Sequence, residues 1–129
     1  LSWFCVDDGF PDHPKLEEIE SDSRLWADVL ALWLVAGCKS SRTGTDGRLT
    51  DQRLRRMTPL PPKRLQKARA ALIRIGLWEP DESQTDVRFH DWGDYNPTEE
   101  ELVERRRKKA ARQRKWRKKK ALAQSGDGA

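Results

Sequence analysis

Apolar positions change their period several times along the chain, and each change predicts an element. From Arg24 to about Lys39, Leu25, Val29, Leu32 and Ala36 recur at helical spacing, with Trp26, Leu30, Trp33 and Gly37 beside them. A helix apolar nearly all round belongs in a core. Ser21-Asp22-Ser23 supplies side-chain oxygens for its N-cap. Lys39 to Gly47 turns polar and contains two glycines, which predicts a loop, and Gly47-Arg48-Leu49 then reads as a short strand. Thr50 caps a second helix over Asp51 to Met57, with Leu54 and Met57 inward and Arg53, Arg55 and Arg56 outward. Prolines at 59, 61 and 62 stop it. Pro62 suits the first position of a third helix, where a missing N–H costs nothing. That helix runs to Ile75 with Leu65, Ala68, Leu72 and Ile75 on one stripe, and Gly76 provides its C-terminal cap.

Beyond Gly76 the pattern shortens. Leu77-Trp78-Glu79 and Val87 to Trp92 predict a hairpin, joined by a loop, Pro80 to Asp86, that is rich in turn formers. Gly93 to Pro97 reads as a linker, and Thr98 with Glu101 fits a capping box that opens a last helix. At the other end, Ser2 to Val6 reads as a short strand and Lys15 to Glu20 as a turn of helix. The predicted class is mainly α with a small β-hairpin (α+β). The order helix, turn, helix, hairpin is that of a winged helix-turn-helix followed by a long basic C-terminal helix. Residues 1–96 form the winged-helix domain with its N-terminal strand and acidic segment. Residues 97–129 form the basic helix or tail, expected to be partly disordered when free. Its apolar residues past Arg105 make no stripe, and like charges at i, i+4 oppose helix formation.

Charge changes the picture most. The net charge of +5 on 129 residues hides a segregation by sign. Residues 1–23 carry −6, residues 24–78 carry +9, residues 79–98 carry −5 and residues 99–129 carry +7. Basic blocks of this size point to a polyanionic partner. The third helix, opposite its apolar stripe, presents Lys63, Gln66, Lys67 and Ala70, expected to meet base edges in a major groove. There Gln pairs with adenine, Lys with guanine and Ala with a thymine methyl. Arg53, Arg55, Arg56, Arg64, Arg69 and Arg74 are expected on phosphates. So is the run Arg105, Arg106, Arg107, Lys108, Lys109, Arg112, Arg114, Lys115, Arg117, Lys118, Lys119 and Lys120. Trp116, set among these bases, suits base stacking as well as it suits plain exposure. The hairpin tip holds Asp81, Glu82 and Asp86 and is expected to stay off the DNA backbone.

Other chemistries fit less well. Asp7, Asp8 and Asp12, with His13 beside them, are expected to form a solvated loop rather than a nuclease centre, since only a fold brings carboxylates together on a metal. Cys5, His13, Cys38 and His90 have no finger-like spacing, so no metal, cofactor or catalytic residue is expected and two reduced thiols are. The most apolar run, Leu25 to Cys38, is shorter than the roughly 20 residues of a membrane span and contains Asp28. No membrane role is expected, and the acidic start LSWFCVDDGF lacks the basic region of a signal peptide. A cytoplasmic location follows as the expectation.

Three segments carry a resemblance: WFCVDDGFPDHPKL near the start, GLWEP in the middle and FHDWGDYNPTEEELVERRRKKAARQRKWRKKK at the end. They resemble small actinobacterial phage and prophage winged-helix DNA-binding proteins of the replication-initiator or replisome-organiser type. The resemblance implies double-stranded DNA as partner, a role in replication initiation or replisome organisation, and no catalytic residues. A winged-helix transcriptional regulator is the alternative. So is an adaptor that bridges DNA to a replication or host protein through its acidic N-terminal segment and hairpin. The oligomeric state, including a homodimer, stays open.

Overall fold

A computed structural model describes residues 2–83 and 85–126. Expectations that touch Leu1, Gln84 and residues 127–129 at those positions lie outside the described residues. The chain divides into two units, Leu1–Asn96 and Pro97–Ala129.

The first unit is mainly helical with a small antiparallel sheet. A 3-10 turn at Phe10–Asp12 leads into helix α1, Pro14–Glu17, and then α2, Ser23–Thr43. Asp22 caps α2, its carboxylate accepting from the Leu25 N–H at 3.1 Å. The helix runs four residues past the expected end at Lys39, to Thr43, and Gly44 caps it in the left-handed region (φ 68°). The Ser and Thr residues that suggest a loop here are instead satisfied inside the fold. Ser40 Oγ accepts from the Gly47 N–H at 2.6 Å and lies 2.6 Å from Thr45 Oγ1, while Thr43 Oγ1 donates to the Lys39 carbonyl.

Strand β1 (Arg48–Leu49), helices α3 (Asp51–Met57) and α4 (Pro62–Arg74), then strands β2 (Trp78–Pro80) and β3 (Val87–Phe89) follow. Thr50 Oγ1 caps α3 by accepting from the Arg53 N–H. At the end of α4 the Gly76 N–H bonds the Ile73 carbonyl and the Leu77 N–H bonds the Leu72 carbonyl. That pairing turns the chain through Gly76 at φ 82°, a conformation glycine adopts without a Cβ penalty. The sheet order is β1-β3-β2, with Leu49 opposite Val87 and Trp78 opposite Phe89. The expected hairpin therefore forms, and the separate strand at Arg48 joins it as a third.

Two expectations about short segments are corrected. Ser2–Val6 is not a strand. Side chains hold it instead: the Cys5 N–H donates to Asn96 Oδ1 at 2.8 Å, the Ser2 hydroxyl donates to the Ser41 carbonyl, and the Ser41 hydroxyl donates to the Trp3 carbonyl. The expected strand to Trp92 stops at Phe89. Asp91 then turns the chain with φ 58°, and Trp92–Tyr95 forms a short helix α5 where a linker was expected.

The core joins α2, α4 and the sheet. Val29, Leu32, Leu54 and Leu72 are fully buried, each such burial contributing about 1.5–3 kcal/mol. Around Phe4, Trp33, Phe89 and Trp92 the rings meet at 4.9 to 5.9 Å between centroids. These contacts place Trp33 in packing, and Trp26 also packs against the core.

The second unit is one helix, α6, Glu99–Gly126. Thr98 caps it, accepting from the Glu101 N–H at 3.2 Å, and three glutamates fill its first turn at the positive end of the helix dipole. The helix is continuous through Arg105 to Lys120. Ala, Arg, Lys and Gln all rank high in helix propensity, and they dominate the run.

Candidate nucleic-acid interface

Helix α4 is two-faced. Leu65, Ala68, Ala71 and Leu72 are buried, whereas Lys63, Gln66, Lys67, Ala70 and Arg74 are exposed on the other side. The buried stripe against α2 fixes the helix, so the polar face is held rather than free to roll. Helix α3 precedes α4 across four residues, Thr58 to Pro61, the length of a helix-turn-helix connection. Gln52, Arg53, Arg55 and Arg56 are exposed on α3, and Arg55 pairs with Asp51 at 3.0 Å. A groove of about 500 Å³ opens between α3, the start of α4 and the hairpin loop, with Arg55, Gln66 and Thr85 among its walls.

Arg64 and Arg69, both expected on phosphates, pair with acids on other helices. Arg64 donates through Nε and an Nη to both carboxylate oxygens of Asp28, at 2.9 and 2.7 Å. Asp28 is buried on α2, and it needs this fork: the hydrogen bond from Arg64 holds its carboxyl below the usual range, against the upward push of burial. The same bond raises the Arg64 guanidinium above its ordinary value. Arg69 donates to Asp51 Oδ1 at 2.9 Å and to the Thr85 carbonyl. Both guanidinium groups brace α4 against its neighbours. The sequence signal existed, since an acid inside the apolar run of α2 demands a partner, but nothing in the spacing named Arg64.

The hairpin loop is tied back in the same way. Asp86 accepts from the Asp51 N–H at 3.2 Å and its carbonyl accepts from Asp81. Behind the loop, Glu79 accepts from Arg88 Nε at 3.0 Å, and His90 Nδ1 lies 2.6 Å from its other oxygen. His90 Nε2 stands 2.9 Å from Asp91. The Glu79 carboxyl is held low, first by the hydrogen bond with His90 and then by Arg88. Arg48, exposed on β1 opposite Arg88, is a further basic group that no periodicity singled out.

On α6 every residue from Arg105 to Lys120 is exposed. Its twelve bases lie all round the helix and no acid interrupts them. Glu104 reaches Arg107 at 3.6 Å. Trp116 is 62% exposed and carries the Lys120 ammonium 4.9 Å above its ring, a cation–π contact within the helix.

Cys5 and Cys38 are both exposed and not bridged, and no group of three metal-ligating side chains occurs among the described residues. No helix among them is long and apolar enough to cross a membrane. Comparison with known protein families, with curated proteins and with solved structures finds no match.

Proposed function

We propose that this chain is a winged-helix protein that binds double-stranded DNA without catalysing a reaction, with α4 as its reading helix and α6 as a sequence-independent basic arm. The observation that carries the reading is the exposed row Lys63, Gln66, Lys67 and Ala70 on a helix whose opposite face is locked into the core. The element order helix, strand, helix, helix, strand, strand supports it, as does a sheet with the last strand in the middle. In that arrangement α4 meets the major groove, Arg53, Arg56 and Arg74 meet phosphates, and Arg64 and Arg69 set the angle of α4 from behind. Arg105 to Lys120 supply affinity for any duplex. The setting proposed is phage or prophage replication, which rests on the resemblance of the three sequence segments.

Titration of labelled duplexes at increasing salt tests the reading. If the arm neutralises roughly six to ten phosphates, affinity falls about 10³- to 10⁵-fold between 50 and 200 mM salt. A shallow salt slope contradicts it.

A further inference from the structure

The two acidic blocks of the chain, residues 1–23 and 79–98, lie far apart in sequence but line one cleft. Its volume is about 320 Å³, at the lower end of the roughly 300–1,000 Å³ of ligand pockets. That suits an anchoring side chain better than a large cofactor. Phe4, Phe10, Trp33, Phe89 and Trp92 line it. Phe10 stacks on Trp33 with ring centroids 4.1 Å apart. Asp7, Asp12 and Asp91 stand among the lining residues, and Lys15, the lysine there, already donates to the Gly76 carbonyl at 3.1 Å. Apolar surface is left open as well: Val6 and Tyr95, both cleft residues, are 46% and 63% exposed. The cleft shares no residue with the groove beside α4.

An aromatic cleft with acids among its walls fits an aromatic side chain flanked by bases. This chain carries such a side chain. Trp116 is exposed between Arg114, Lys115, Arg117 and Lys118, on a helix whose other side chains from Arg105 onward are polar or alanine as far as Lys120. We propose that the aromatic cleft of one copy receives Trp116 and its basic neighbours from the α6 of a second copy, so that two chains exchange arms. A two-fold exchange satisfies both clefts at once. The same arm is then shared between the partner copy and DNA, and duplex added to the pair competes for it. The arm-for-cleft contact stands on the cleft and on Trp116, independently of whether α4 reads DNA.

Sedimentation of the 129-residue chain, freed of nucleic acid by nuclease and checked by absorbance, tests this. The expected result is a concentration-dependent dimer at low salt that dissociates at high salt and on addition of duplex. Trp116→Ala, and separately Tyr95→Ala with Asp12→Lys, each weaken self-association by about tenfold or more, as removal of an aromatic anchor does. All three positions are exposed, so the thermal midpoint of each variant stays at the parent value. Mixing the two variants supplies one intact cleft and one intact arm, and the mixture associates more tightly than either variant alone. A monomer at all concentrations overturns the proposal. So does a dimer indifferent to the cleft variants, a dimer indifferent to Trp116→Ala, or a mixture no tighter than its components.

Discussion

At Gly37 a Cβ would stand 2.2 Å from the Phe4 ring, so the glycine is a notch cut for an aromatic side chain of the N-terminal segment. Gly37→Ala is expected to push Phe4 out and lower stability by about 1–3 kcal/mol, the usual range for overpacking. Urea unfolding of a double-mutant cycle checks it. In a Phe4→Ala background the same substitution should cost far less, and equal costs in both backgrounds contradict the contact. A second residue-scale prediction concerns Asp28. Its folded carboxyl titrates below the ordinary range of about 4. A depressed carboxylate contributes stability above its unfolded value and loses it as pH falls through the lower folded one. Glu79 acts in the same direction. Asp28→Asn should therefore lower stability at neutral pH yet flatten the acid limb of a pH series of urea midpoints. An acid limb as steep as the parent's contradicts the pair with Arg64.

Among the elements, α4 was the most legible in the sequence because one stripe and two stop signals defined it. Leu65, Ala68 and Leu72 at helical spacing, Pro62 ahead and Gly76 behind bound the helix almost to the residue. The N-terminal segment departs from the expected strand because an apolar run such as Ser2 to Val6 looks alike whether a ladder or side chains hold it. Phe4 in its notch and the Asn96 amide do that work here, and neither partner lies within 30 residues of the segment. The roles of Arg64 and Arg69 were hidden for the same reason. Exposure is readable from a helical wheel, but a partner on another helix is not. The polar residues of α4 therefore fall into two groups with distinct expected behaviour. Arg64→Ala should lower the unfolding midpoint, while Gln66→Ala with Lys67→Ala should leave it unchanged and abolish preference among duplexes. For α6, deletion after Glu104 should weaken binding to every duplex alike and flatten the salt dependence. Loss of affinity for one sequence only would place reading in the arm.

For the molecule as a whole, sign segregation is the organising fact. Acidic blocks meet at the aromatic cleft, and basic residues occupy the outer faces of α3 and α4 and the stretch of α6 from Arg105 to Lys120. Composition made the segregation visible, but only the fold showed that the acidic blocks converge. DNA recognition by this fold turns on whether α4 reads sequence. Selection of bound duplexes from a random pool, followed by footprinting of the 129-residue chain on the selected site, tests that most directly. The predicted result is a protected site with a defined motif for the parent chain, and no motif but retained salt-sensitive binding for Gln66→Ala with Lys67→Ala. The same motif recovered from the variant would contradict the assignment of α4, and a parent chain that enriches no motif would contradict sequence reading altogether.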